Sequence, residues 1–241
     1  MLPDVWIRED SMSTELNPHA VDTSRMAHST MTADRSFDLG ADLWAVVPVK
    51  DFSGSKERLA SALSPQERTK LAESMFRNVL HVLASTKELA GILVVTNDPF
   101  AAEIAQGAGA EVIADKSSSG TNAAVVQGLR VLAARDRGGA VVIPADIPLM
   151  TREELDKILN LARTERVIVV PAAADGGTNL LLVQPPDLLV TCFGWDSFAR
   201  HVEASRAAGC EPCVLHIEGI ALDIDTPDDL AALNAIRSRT S

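Results

Sequence analysis

Beyond about residue 40 the chain alternates between short apolar runs and longer stretches of helical period. The runs are Trp44-Ala45-Val46-Val47, Gly91-Ile92-Leu93-Val94-Val95, Glu111-Val112-Ile113-Ala114, Ala140-Val141-Val142-Ile143 and Val167 to Val170. Short runs without polar alternation predict strands covered on both faces, the habit of a parallel sheet. Pro48 is expected to break the first ladder. Ser64-Pro65-Gln66-Glu67 is a capping box with proline at the first helical position, and Leu71, Met75, Val79, Val82 and Leu83 follow as an apolar stripe. A short helix is expected around Phe100 to Gln106. Another carries Val125, Val126, Leu129, Leu132 and Ala133 inward, entered through the polar turn Ser119 to Ala124. Thr151 caps a further one, with Leu155, Ile158, Leu159 and Ala162 inward. This strand–helix–strand order defines an α/β chain with a mostly parallel sheet sandwiched by helices. Val167 to Val170 and Leu180 to Val183 are joined by a short turn, Asp175-Gly176-Gly177-Thr178-Asn179, which predicts some antiparallel pairing there. Strands are also expected at Cys213 to Ile217 and at Leu222-Asp223-Ile224-Asp225. Thr226 then caps a last helix with Pro227 at its first position and Asp228 and Asp229 in its first turn.

Residues 1 to 40 show no sustained period and are rich in Ser, Thr, Asp, Met and His. They read as a disordered or loosely attached tail, with residues 41–241 as one domain. Met12, Met26 and Met31 leave open a shorter natural start. No apolar run is long enough to span a bilayer, and no secretory signal is recognisable. The three cysteines make no disulfide framework, which fits a reducing cytoplasm. A net charge of −11 argues against nonspecific nucleic-acid binding. An acidic protein with an anionic substrate has to gather its cations locally or recruit a metal.

Such a gathering stands after the first strand. Lys50, Lys56 and Arg58 surround Ser53-Gly54-Ser55, a small-residue loop that suits phosphate oxygens. The order is neither GxxxxGK[ST] nor GxGxxG, and a solvated basic turn is the plain alternative. Asn122 is either a cap or a contact to a base or ribose. Asp146 lies just past the fourth strand, where open α/β sheets bind ligands. Asp223 and Asp225 are two apart, so on a strand both carboxylates face one side. With Asp146 they form a set that suits Mg²⁺. Gly194 and the Ser197 amide suit a backbone anion site ahead of a helix bearing Arg200 and His201. His201 is either a contact to an anionic substrate or, more plainly, a packing or capping residue. Cys210, Cys213 and His216 have partial zinc spacing without a second ligand pair. No nucleophile motif is present. An acceptor phosphate attacking a nucleotide α-phosphate needs none, because its oxygen is already ionised at neutral pH.

The stretches VPVKDFSGSKERLASALSPQER (47–68), GTNAAVVQGL (120–129), PADIPLM (144–150), DGGTNLLLV (175–183), FGWDSFARH (193–201) and DIDTPDDL (223–230) resemble the CofC/FbiD guanylyltransferases of deazaflavin-coenzyme biosynthesis. The resemblance covers residues 43 to 236. It implies a single-domain nucleotide-diphospho-sugar transferase fold, GT-A-like and Rossmann-like. It also implies transfer of GMP from GTP to a small phosphorylated carboxylic acid with release of pyrophosphate. By the same resemblance Pro48, Lys50, Lys56, Arg58 and Asn122 would bind the nucleotide, the two lysines and Arg58 facing its phosphates. Asp146, Asp223 and Asp225 would hold Mg²⁺, and Thr178, Gly194 and Ser197 would bind the acid. A homodimer would be compatible with it. The family's acceptors are 2-phospho-L-lactate, phosphoenolpyruvate and 3-phospho-D-glycerate, and the sequence does not choose among them. Trp195 stands where the FGxDS turn often carries proline, and Ile147 where leucine is common. The rival readings are a nucleotidyltransferase for a sugar phosphate or molybdopterin, and a noncatalytic nucleotide-binding protein on the same fold.

Overall fold

Seven strands form one sheet in the order β3-β2-β1-β4-β6-β5-β7. They are β1 (Leu43–Pro48), β2 (Leu89–Val95), β3 (Glu111–Ile113), β4 (Gly139–Val142), β5 (Val167–Pro171), β6 (Thr178–Val183) and β7 (Cys213–Val214). The structure, a computed structural model, describes residues 38–116 and 120–240. The tail expected over residues 1–40 thus lies, up to residue 37, outside the described residues, as does Ser119. The helices are α1 (Pro65–Ser85), α2 (Pro99–Gly107), α3 (Gly120–Ala134), α4 (Arg152–Leu161), α5 (Ser197–Ala207), α6 (Glu218–Ala221) and α7 (Pro227–Thr240), with a 3-10 turn at Glu57–Leu59. None of the helices among the described residues is long and apolar enough to cross a membrane.

The unbroken apolar runs are explained by two covered faces. Ala45, Val47, Val94, Val141, Ile168 and Leu182 pack on one side against Phe76, Leu80 and Leu83 of α1 and Leu155 and Ile158 of α4. Val46, Leu93, Val95, Val142, Val169 and Leu181 pack on the other against Val125, Leu129 and Leu132 of α3. Each such valine, leucine, isoleucine or phenylalanine contributes about 1.5–3 kcal/mol by leaving water. Gly128 sets the approach of α3 to the sheet, since a Cβ there would lie 2.7 Å from Val46 Cγ1.

β1 pairs in parallel with β2 and β4, and β6 runs antiparallel to both β4 and β5. The short turn before β6 therefore has the expected effect. The expected capping box forms at Ser64/Glu67, and the expected cap by Thr151 is completed as a box by Glu154. Pro48 does not break the ladder early. It is the last residue of β1, opposite Val95, and the next amide, of Val49, still donates to Val95 O at 3.0 Å. The N–H that Pro48 lacks would face the β4 side, where pairing has already ended at Val142.

The strand expected at Cys213 to Ile217 shrinks to two residues, because Ile217 turns to start α6. Leu222 to Asp225 is extended but is not a strand. Two bonds tie it to the sheet region, from Ile224 N–H to Asp146 O at 3.3 Å and from Asn179 Nδ2 of β6 to Asp223 Oδ1 at 3.1 Å. What holds it is Ile224, buried among Leu59, Met75 and Leu233. An apolar residue between two aspartates is enough to seat the segment without a ladder.

The loop after β1 is tied down by Asp98. Its Oδ1 accepts the amides of Phe100 and Ala101 at 2.8 and 3.1 Å, capping α2, while Oδ2 accepts the Phe52 amide at 2.8 Å. Phe52 then packs on Phe76 and Phe100. Asp98→Ala removes a cap and strands a buried amide, so it should cost on the order of 2–3 kcal/mol. Urea unfolding of the variant checks this, and a loss under about 0.5 kcal/mol would show that the loop needs no anchor.

Candidate active site

The strand order reverses at β1, whose chain neighbours lie on one side and β4 on the other. The crevice at the carboxyl ends of these two strands is where such sheets bind ligands. A cavity of about 310 Å³ opens there, lined by Pro48, Lys50, Lys56, Thr121, Asp146 and Asp225 among others. A second, of about 680 Å³, lies along the same loop beside Lys50, Ser53, Asn97, Asp115 and Gly120. A third, of about 440 Å³ between α1 and α2, carries none of the expected site residues.

Lys56 is the centre of the first cavity. Its backbone is left-handed, φ 58°, which costs a non-glycine residue about 1–2 kcal/mol. The side chain turns inward, with Nζ 2.5 Å from Asp146 Oδ2 and 2.7 Å from Asp225 Oδ1. It is 8% exposed, against 27% and 41% for its partners. Burial pulls the lysine pKa down, but the charges and hydrogen bonds of Asp146 and Asp225 outweigh it and hold the ammonium above its ordinary value.

One ammonium does not balance this neighbourhood. Asp223 is pushed up to about 6, first by burial, then by the charges of Asp146 and Asp225, against a stabilising bond from Asn179. Asn179 Nδ2 donates to Asp223 Oδ1 at 3.1 Å and to the carbonyls of Ile220 and Ala221. Asp146 Oδ1 is buried and has no hydrogen-bond partner. Asp225 is placed by α7, since Asp229 Oδ2 accepts the amides of Asp225 and Thr226 at 3.1 and 2.7 Å. The expected cap by Thr226 is present as its bond from the Asp229 amide, 3.3 Å. Among the described residues no group of three or more His, Cys, Asp or Glu side chains converges as a metal site, and Lys56 stands between Asp146 and Asp225.

The structure brings Pro48, Lys50 and Lys56 together. Arg58 is exposed on the 3-10 turn and lines neither cavity of this crevice. Asn122, in the first turn of α3, lines a cavity on the outer side of that helix. Its Oδ1 accepts the Phe193 amide at 2.8 Å, so it staples α3 to the turn before α5. Thr121 takes the place beside the carboxylates.

Thr178, Gly194 and Ser197 gather where β6 begins and α5 begins. The amide of Phe198 donates to Gly176 O at 3.0 Å, joining the two turns. Gly194 has φ 122°, a conformation that suits glycine. The expected backbone anion site is not free, because the Ser197 amide already donates to Gly194 O at 3.2 Å. The Ser197 hydroxyl, by contrast, is buried and unpartnered. Arg200 donates to the carbonyls of Trp195 and Asp196 and so braces the turn. His201 is fully buried, its Nδ1 2.9 Å from Thr178 Oγ and its Nε2 3.0 Å from the Cys192 amide, and so packs as a pin. The Cys210/Cys213 pair is split between layers, Cys213 packing on one face of the sheet and Cys210 on the other, which removes the partial zinc spacing.

Three residues escaped the sequence reading. Asn179 follows Thr178 on a strand, so it points to the opposite face and reaches Asp223. That alternation was available as a signal. Thr121 depends on where α3 begins, and nothing in the sequence marks its target, whereas the Thr226-x-x-Asp229 spacing of a capping box was available as a signal for Asp229.

These features define the class. Among solved structures the chain superposes on a candidate nucleotide-diphospho-sugar transferase from Desulfovibrio desulfuricans G20. The TM-score is 0.69 at 20% identity, covering 83% of this chain and 90% of that one. It also superposes on 4-diphosphocytidyl-2C-methyl-D-erythritol synthase from Anaerococcus prevotii, with TM-score 0.60 at 12% identity, covering 83% and 97%. The fold is that of the nucleotide-diphospho-sugar transferases and cytidylyltransferases. Residues 43–236 match the family described as guanylyl transferase CofC like. A phosphoenolpyruvate guanylyltransferase from Conexibacter woesei is 40% identical over 197 residues, covering 80% of this chain and 87% of that protein. A 3-phospho-D-glycerate guanylyltransferase from Phenylobacterium zucineum is 35% identical over 188 residues, covering 77% and 86%. The chain belongs to the CofC-like guanylyl transferase family and is a nucleotidyltransferase.

Burial, with a smaller push from Arg200, lowers His201 from 6.5 to about 4. The unfolded chain therefore takes up this proton first as pH falls. The stabilisation is present above about pH 6.5 and is lost as pH falls toward 4, on the order of 3 kcal/mol for the full shift. Asp223, raised rather than lowered, acts with the opposite sign over about pH 4 to 6. The difference between wild type and His201→Leu isolates the histidine. Urea midpoints should fall more steeply toward pH 4 in the wild type, and parallel curves would overturn the assignment.

Proposed function

We propose that this enzyme transfers the guanylyl group of GTP to the phosphate of phosphoenolpyruvate, releasing pyrophosphate, in the cytoplasm and as a step toward a deazaflavin coenzyme. The observation that carries the reading is the Lys56 ammonium clamped by Asp146 and Asp225 at the sheet crevice, with Lys50 beside it, in a chain of this family. An acceptor phosphate oxygen bonds to the α-phosphorus of GTP, and the bond from that phosphorus to the bridging oxygen breaks as pyrophosphate leaves. No proton has to be removed from the nucleophile, so positioning and charge neutralisation carry the reaction.

On this reading Lys50 and Lys56 face the phosphates, with Arg58 at the outer rim. Asp146, Asp223 and Asp225 would hold Mg²⁺. The features that favour a divalent cation are Asp146 and Asp225 sharing the single Lys56 ammonium, the orphaned buried acceptor Asp146 Oδ1, and Asp223, raised by burial and then by its like-charged neighbours. When bound, the ion would supply charge neutralisation for the triphosphate. Thr178, Gly194 and Ser197 would take the acid, for which the buried, unpartnered Ser197 hydroxyl is the supporting feature. A second acceptor, 3-phospho-D-glycerate, is favoured by relatives of that name at 35% and 34% identity.

Pyrophosphate release from GTP and Mg²⁺, with phosphoenolpyruvate, 3-phospho-D-glycerate and 2-phospho-L-lactate supplied separately, tests the reading. Phosphoenolpyruvate should give the fastest turnover, by about tenfold. Silence with all three while GTP binds would point to a sugar phosphate or pterin acceptor. Silence without GTP binding would leave a noncatalytic protein.

The carboxylates give a sharper expectation. Asp225→Asn should lower turnover by about 100-fold or more, the size expected when charge stabilisation at the reacting centre is lost. Its unfolding midpoint should barely move, because the side chain is 41% exposed. Full activity in the double variant Asp223→Asn/Asp225→Asn would overturn the metal assignment.

A further inference from the structure

Every buried residue of α5 is polar. They are Ser197, His201 and Ser205, spaced four apart on one face. A helix on a sheet ordinarily buries an apolar stripe, so each of these groups has to be accounted for. Ser205 Oγ donates to Cys210 O at 2.7 Å and closes the loop after the helix. His201 spans two elements. Its Nε2 meets the Cys192 amide at 3.0 Å, and its Nδ1 meets Thr178 Oγ at 2.9 Å.

The backbone fixes the tautomer. An amide can only donate, so Nε2 must be the bare nitrogen, and the neutral ring carries its hydrogen on Nδ1. Nδ1–H then donates to Thr178 Oγ. The hydroxyl is left with its own hydrogen to give, and among the described residues it has no second partner. The opposite tautomer would reverse this, drawing the hydroxyl hydrogen onto Nδ1. The Phe193 ring packs edgewise on the imidazole, centroids 4.7 Å apart, and holds its plane. Ser197, one turn earlier on the same helix face, adds a buried hydroxyl that has no hydrogen-bond partner.

We infer that His201 is a positioning residue for the acceptor acid: it keeps the Thr178 hydroxyl as a hydrogen-bond donor to an anionic oxygen of that acid, and it locks β6 to the Cys192–Ser197 turn. The inference rests on the proposed function and deepens it. The histidine touches neither substrate nor reacting atoms. It acts through Thr178, and a loose or reversed hydroxyl weakens the acid without touching the nucleotide.

Steady-state kinetics with GTP and phosphoenolpyruvate varied in turn test it. His201→Leu should raise KM for the acid about tenfold or more, the size of a lost hydrogen bond to a charged group, and leave KM for GTP within about twofold. His201→Asn, which keeps an N–H at the Nδ1 position, should recover most of the acid KM. A merely structural role would lower the active fraction without splitting the two KM values, and that result would overturn the inference. So would an Asn variant no better than Leu. Nitrogen-15 NMR of the wild-type imidazole gives a readout that does not need turnover. Protonation at Nδ1 with Nε2 bare supports the inference, and the reverse tautomer overturns it even in an active enzyme. Absence of turnover by the wild type with every acid would overturn the proposed function itself, and with it the acid as ligand of Thr178.

Discussion

The Lys56 ammonium between Asp146 and Asp225 joins segments 90 and 169 residues apart. The loop after β1, the end of β4 and the approach to α7 meet in that contact. Each arrives for its own local reason. Asp98 holds the loop through Phe52, the β4 ladder stops at Val142, and Ile224 sinks into a small apolar cluster. The contact is electrostatically incomplete. A half-buried ion pair ordinarily does little for stability unless its geometry satisfies every lone pair. Here Asp146 Oδ1 is left without a partner and Asp223 is driven toward neutrality. The left-handed backbone of Lys56 adds strain. Strain and an unmatched carboxylate at one point are the signature of a place shaped for a ligand rather than for the resting fold.

The antiparallel strand explains how two different chemistries come to lie side by side. β6 pairs Val142 with Leu181, running opposite to β4. Its first residues therefore lie past the end of β4, at the crevice, where a parallel strand would deliver its last ones. Thr178 and Asn179 are consecutive and point to opposite faces. Thr178 faces α5 and meets His201, while Asn179 faces the extended segment and meets Asp223. One strand start thus sends a buried hydroxyl toward α5 and an amide toward the carboxylates.

Much of this architecture was legible in the sequence. Apolar runs without alternation announced a doubly covered sheet, and Ser64-Pro65-Gln66-Glu67 and Thr151-Arg152-Glu153-Glu154 marked helix starts that the structure places where expected. The gathering of Lys50, Lys56 and Asp146 followed from strand ends alone. What was not legible depended on partners remote in sequence. Leu222 to Asp225 has strand-like composition, yet a strand needs a neighbour, and the sheet offers none there. Asn122 has a side chain that caps helices in general, but the amide it meets belongs to Phe193. The Ser197 amide looked available because the sequence does not reveal a turn tight enough to return it to Gly194 O. His201 was ambiguous for the same reason, its role lying in Thr178 and the Cys192 amide rather than in its own helix.

On the proposed reading, the two sides of the crevice divide the problem of specificity. Phosphoenolpyruvate and 3-phospho-D-glycerate both carry a phosphate and a carboxylate, so a cationic site cannot tell them apart by charge. The cations near the carboxylates suit phosphates of any origin. The acid side is different. Its cation Arg200 is spent on the carbonyls of Trp195 and Asp196, and its inward groups include the hydroxyls of Thr178 and Ser197. A neutral, buried donor with a fixed direction discriminates by geometry, because an acid that fails to reach it leaves a polar group stranded out of water. The choice of acceptor would then be written in the orientation of two hydroxyls, and the tautomer of one buried imidazole sets the direction of the first.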